Sequence, residues 1–100
     1  MVDIPDKVMD LARDVARLAR RRIDPAARVL LFGSWARGMA VPRSDLDVAI
    51  DAGNRIRPSL LQRLQFDCEE LRTLRKIDLV DLHSAGPELR EAILADGIEL

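Results

Sequence analysis

The sequence predicts a small α/β domain of the α+β type, a three-stranded mixed sheet flanked by helices. Three observations carry that prediction. Two segments repeat apolar residues at helical spacing, three short runs have the β-branched or alternating character of strands, and Gly, Pro and Asp punctuate the joins. Length agrees, since 100 residues at 48% apolar content make one domain over residues 1–100, able to bury roughly 60–68% of the surface its unfolded chain exposes.

The first helix spans residues 6–22. Pro5 and Asp6 open it, Val8, Leu11, Val15 and Leu18 recur on one side, and Arg13, Arg17 and Arg20 occupy the other as a solvated face. Asp24-Pro25 stops it. "RVLLF" at 28–32 is then a short buried strand ending at Gly33, and "LDVAI" at 46–50 is a second strand, bounded by Pro42, Ser44, Asp51 and Gly53-Asn54. Between them lies a turn with some helical character. After Pro58, with Ser59 as the predicted cap, Leu60, Leu61, Leu64, Cys68, Leu71 and Leu74 follow a helical period up to Arg75. "KIDLVDL" at 76–82 returns to strand, and a last short helix runs from near Pro87 to near Gly97.

Composition narrows the function. With 16 basic and 17 acidic side chains and a net charge of −1, the whole molecule has no attraction for nucleic acid or anionic membranes, so direct nucleic-acid binding is not expected. The single cysteine, Cys68, cannot form an internal disulfide or a cysteine zinc cluster. No stretch approaches the ~20 apolar residues that span a bilayer, and the acidic start "MVDIPDKVMD" is unlike a signal peptide. A cytoplasmic protein is the expectation.

The chemistry is concentrated in "LLFGSWARGMAVPRSDLDVAID", residues 30–51. Residues two apart on a strand share a face, so Asp45 and Asp47 project together while Leu46, Val48 and Ile50 enter the core. Two adjacent carboxylates raise each other's pKa unless a cation intervenes, and their hard oxygens suit Mg²⁺. For both residues to act with Gly33-Ser34 at one site, the first two strands must be antiparallel. The third, reached through a helix, is then parallel to the second. In that register Asp78 lies level with the pair, whereas Asp81 is about 10 Å further on and faces away. Asp78 is the third ligand, with Asp81 as fallback.

Gly33-Ser34 adds an anion site: glycine allows close backbone approach, and N–H groups with the Ser34 hydroxyl can hold phosphate oxygens. Arg37 supplies a bidentate donor one turn later, and Ser44 beside the carboxylates is a further phosphate-orienting candidate that turn chemistry explains nearly as well. Phosphate held beside metal is the equipment of phosphoryl or nucleotidyl transfer. Elsewhere the residues read plainly. Trp35 is a packing residue, lone His83 a loop residue, and Asp51 a solvent-facing acid.

"GS" followed ten residues later by "DxD", with "GSWARG", "RSDLDVAI" and "KIDLVDL" around them, resembles the polymerase-beta-type nucleotidyltransferase superfamily, and most of all its minimal nucleotidyltransferase (MNT) branch. The resemblance covers essentially the whole chain and departs mainly at Trp35, where smaller or polar residues are common. It implies the nucleotidyltransferase fold. It also implies that Asp45 and Asp47 bind two Mg²⁺ ions, that Asp78 completes the catalytic metal site and helps activate the acceptor hydroxyl, and that Gly33-Ser34 grips the triphosphate of ATP. MNT proteins are typically encoded beside a HEPN-domain toxin, a helical ribonuclease, which they neutralise by binding it and transferring AMP to a tyrosine hydroxyl. A hetero-oligomeric antitoxin enzyme is therefore the implied function. Two alternatives stay open: an antitoxin that neutralises by binding alone, and transfer to a small molecule as in the antibiotic-modifying relatives, which usually carry a second domain absent here.

Overall fold

The structure, a computed structural model, describes residues 2–100. In chain order the elements are α1 (Asp6–Arg22), β1 (Arg28–Phe32), β2 (Leu46–Asp51), α2 (Pro58–Glu69), β3 (Ile77–Asp81), α3 (Pro87–Asp96) and β4 (Ile98–Glu99). They form one sheet in the order β3-β2-β1-β4. β1 is antiparallel to β2, and β3 is parallel to β2, as the sequence predicts.

The sheet has four strands where the sequence suggests three. Leu30 and Leu31 of β1 pair antiparallel with Glu99 and Ile98 of β4. Two residues are too few to display an alternation, and their pairing depends on α3 returning the chain beside β1.

The two faces of the sheet bury different sets of side chains. Val29, Leu31, Leu46, Val48 and Ile50 pack with α1 and α2 into the main core, while Leu30, Ala49, Leu82 and Ile93 form a smaller cluster under α3. β2 is thus covered on both faces, which is why its apolar run is nearly continuous. On α1 the closest contacts to the core are the small residues Ala12, Ala16 and Ala19 beside Val8 and Val15, while Leu11 and Leu18 are only half-buried. Alanine lets the helix sit close to the sheet, and the leucines cover the margins.

Three details of the expected helices change. Arg20 does not belong to the solvated stripe: its Nε donates to the Ala27 carbonyl at 3.0 Å and its Nη2 to the Leu100 carbonyl at 2.8 Å, tying α1 to β1 and to the end of β4. Arg13 and Arg17 pair with Asp10 and Asp14 on their own helix, which neutralises the face. Ser59 is not the cap of α2, because Arg57 holds that position and Pro58 begins the helix with its preset φ. α2 also ends at Glu69, so Leu71 and Leu74 lie in the connector to β3, and Leu74 is fully exposed. No helix among the described residues is long and apolar enough to cross a membrane.

Candidate active site

The site sits where β1 ends and β2 and β3 begin. β1 leaves the sheet at Gly33, whose φ of +76° belongs to the left-handed region that glycine reaches without strain. Phe32 stands opposite Asp47 in the β1–β2 register. A Cβ on Gly33 would collide with Oδ2 of Asp47, so the glycine is needed both for the turn and for the space the carboxylate fills. The chain then curls through residues 33–38, with Arg37 N–H donating to the Gly33 carbonyl at 3.0 Å and Met39 N–H to the Ser34 carbonyl at 2.9 Å. This is a hydrogen-bonded turn rather than a regular helix. Ser34 is half-buried within it, and Arg37 is exposed on it.

The β2–β3 register sets Asp47 directly beside Asp78. Paired residues of parallel strands share a face, so both carboxylates lie on the face opposite the main core, the one that Leu30 and Ala49 share with α3. Asp45 is exposed in the last step before β2 begins, two residues upstream of Asp47. Electrostatics records their proximity. The Asp47 carboxyl is held above the ordinary carboxylate range, first by partial burial and then by the charges of Asp78 and Asp45, with Lys76 acting in the opposite direction. Lys76 Nζ is 3.5 Å from Asp78 Oδ1.

All three donors are carboxylate oxygens, the chemistry a hard divalent cation takes, and crowding of their like charges is what such a cation relieves. Among the described residues they are not drawn together into a closed cluster. The donor set fits Mg²⁺, with Asp47 and Asp78 as the adjacent pair and Asp45 at the margin.

Asp81 has a different task. Its carboxylate is buried and accepts from the Ile56 N–H at 2.8 Å, the Ser84 hydroxyl at 2.7 Å and the His83 N–H at 3.1 Å. It organises the loops at the far end of β2 and β3, and the register places it beside Ile50 rather than Asp47. Asp51 does not face solvent alone: it accepts from Gly53 N–H, lies 2.7 Å from His83 Nε2, and its carboxyl is held below the usual range, chiefly by the Gly53 hydrogen bond. His83 is a loop residue, as expected, but one anchored to β2.

The sequence singles out Ser44 and overlooks Arg75. Ser44 Oγ accepts from the Val41 N–H at 2.9 Å and closes the loop ahead of Asp45, leaving its own hydrogen free to donate. Trp35, buried as a packing residue should be, donates from Nε1 to the Ser44 carbonyl at 3.3 Å. Arg75 lies across the indole, its Cζ 5.1 Å from the ring centre, and donates from Nη1 to the Pro42 and Ser44 carbonyls. Nothing in the local pattern around Arg75 signals this, since its acceptors lie 33 and 31 residues away. Next to Asp45, an open groove of about 660 Å³ runs between Pro42 and Arg43 on one wall and Thr73, Leu74 and Lys76 on the other.

The family model described as polymerase beta nucleotidyltransferase matches residues 6–100. The chain belongs to this nucleotidyltransferase family. It is 30% identical over 90 residues to the protein adenylyltransferase MntA of Shewanella oneidensis, a match that covers 86% of this chain and 61% of MntA. This nucleotidyltransferase chain thus spans less than two thirds of that relative. Among solved structures, a candidate minimal nucleotidyltransferase superposes with a TM-score of 0.74 at 29% identity, covering 95% of this chain and 94% of the other. A chain from the complex of tri-AMPylated Shewanella oneidensis HEPN toxin with MNT antitoxin gives 0.63 at 25% identity, covering 92% and 70%. The fold is that of the nucleotidyltransferases, and the resemblance to the minimal branch is borne out.

Proposed function

We propose that this nucleotidyltransferase is a Mg²⁺-dependent protein adenylyltransferase, the antitoxin of a toxin–antitoxin pair, that moves AMP from ATP to a tyrosine hydroxyl of a HEPN-domain toxin. The observation that carries the reading is the side-by-side register of the half-buried Asp47 and Asp78, with Asp45 two residues upstream and Gly33 shaped around Asp47. The likeness to MntA and to the antitoxin of the tri-AMPylated toxin complex supports the substrate class.

In this reading the backbone after Gly33 and the Ser34 hydroxyl hold phosphate oxygens, and Arg37 and Ser44 donate from the two loops that flank them. Asp45, Asp47 and Asp78 would hold Mg²⁺, which when bound would neutralise charge on the departing pyrophosphate and favour ionisation of the acceptor hydroxyl. Asp78 takes the tyrosine proton at a carboxylate oxygen. The phenolic oxygen bonds to the α-phosphorus, the bridging bond to the β-phosphate breaks, and pyrophosphate leaves with its electrons. Lys76, beside Asp78, limits the charge that gathers on the carboxylates before substrate arrives.

The test is incubation of the purified chain with ATP, Mg²⁺ and a HEPN-domain toxin, the product of its neighbouring gene if that gene encodes one, followed by intact-mass measurement of both. The expected result is a gain of AMP units on the HEPN protein that Asp47→Asn abolishes. An unchanged mass in a stable complex would overturn the enzymatic reading in favour of neutralisation by binding.

A further inference from the structure

The residue immediately before Asp45 is held more firmly than its place in an exposed loop requires. Its carbonyl oxygen, on Ser44, accepts two side-chain hydrogen bonds, from Arg75 Nη1 at 2.7 Å and Trp35 Nε1 at 3.3 Å. The same Arg75 nitrogen also reaches the Pro42 carbonyl at 2.9 Å, and its guanidinium carbon lies over the Trp35 ring, 5.1 Å from the ring centre. On the other side of Asp45, the Leu46 N–H donates to the Lys76 carbonyl at 2.9 Å, the first bond that joins β2 to the β3 strand. Asp45 is therefore fixed from both sides by Arg75 and its chain neighbour Lys76.

Resting on the carboxylate-site reading above, we infer that Arg75 is a positioning residue: it clamps the 42–44 backbone against Trp35 and so holds Asp45 level with Asp47 for divalent-cation binding. The chemistry favours arginine over other cations here. A planar guanidinium can stack on an indole while donating in its own plane to carbonyl oxygens, which a lysine ammonium cannot do. Asp47 has the strand ladder to fix it and Asp78 has β3. Asp45 precedes the strand, so the clamp is what orients its backbone.

Arg75 touches neither reacting atoms nor cation, so its effect must pass through Asp45, and a double-mutant cycle isolates that dependence. Mn²⁺ affinity is read from the free-ion electron paramagnetic resonance signal for wild type, Arg75→Met, Asp45→Asn and the double variant, with thermal melting of each in the absence of metal. Loss of charge-assisted bonds at Ser44 weakens Mn²⁺ binding in Arg75→Met on the order of tenfold. Asp45→Asn weakens it at least as much, and the double variant is no weaker than Asp45→Asn. Arg75→Lys recovers part of the affinity through a single bond to the Ser44 carbonyl. Additive losses, or Arg75→Met binding Mn²⁺ as tightly as wild type while Asp45→Asn does not, overturn the positioning role and leave the carboxylate site standing. Unchanged affinity in Asp45→Asn overturns the carboxylate site itself, and the inference with it. If Arg75→Met melts before metal can be titrated, Arg75→Lys against wild type and Asp45→Asn carries the same comparison.

Discussion

Asp47 is folded into a place that disfavours its charge: half-buried, beside Asp78, with the charge of Asp45 near enough to act on it. Its folded pKa lies above its unfolded value. The associated stability is therefore fully present below the ordinary carboxylate range and is lost as pH rises through the raised folded value. At neutral pH without divalent metal, Asp47→Asn is expected to raise the melting temperature by a few degrees, a difference that shrinks to nothing in acid. Melting curves at several pH values check this, and a variant that melts lower than wild type at neutral pH would contradict it. Gly33 works in the opposite sense. At a φ of +76° an alanine loses about 1–2 kcal/mol from backbone strain alone and also meets Asp47 Oδ2. Urea unfolding of Gly33→Ala should show at least that loss, with AMP transfer reduced more than the remaining folded fraction explains.

The helices and strands each hold part of the site by packing. α1 approaches the sheet through Ala12, Ala16 and Ala19, all buried, so a larger side chain has nowhere to go. Ala16→Leu is expected to lose about 1–3 kcal/mol from overpacking, whereas Leu11→Ala, at a half-buried margin, should lose less than the ~2–5 kcal/mol of a core leucine. Denaturant midpoints of the two variants decide it. At the far end of β3, Asp81 holds three donors of the flanking loops. Asp81→Ala leaves the buried Ile56 N–H without its acceptor, a loss of about 1–3 kcal/mol. The rate of AMP transfer per folded molecule should stay at the wild-type value, while Asp78→Ala removes it. Equal losses of rate in the two variants would return Asp81 to the list of ligands.

For the molecule as a whole, the proposed function has the metal and nucleotide bind the folded state alone, so they would stabilise by mass action. A site filled at about a hundredfold above its dissociation constant adds roughly 2.7 kcal/mol. Mg²⁺ with ATP should therefore raise the melting temperature of wild type, and chelation of the metal should reverse the gain. Asp45→Asn and Asp47→Asn should show little of it. The open groove beside Asp45, with exposed Leu74 at its lip, has the breadth to admit a side chain carried on another protein.

The sequence by itself determined the order of the main elements, the antiparallel and parallel directions of the first three strands, and the grouping of Gly33, Asp47 and Asp78. The element order follows from local periodicity, whereas the strand directions follow from requiring Gly33-Ser34 and the carboxylate pair to share one site, with alternation along a strand setting which residues share a face. Asp45 was expected on the same alternation, and in the structure it stands one residue ahead of β2. Only the tertiary structure decided the fourth strand, the partners of Arg20, Asp51 and Asp81, and the clamp of Arg75 on the Ser44 carbonyl. Each of these joins residues far apart in the chain through one or two hydrogen bonds. Such contacts leave no periodic trace in the sequence, since their geometry exists only after the sheet and helices have packed.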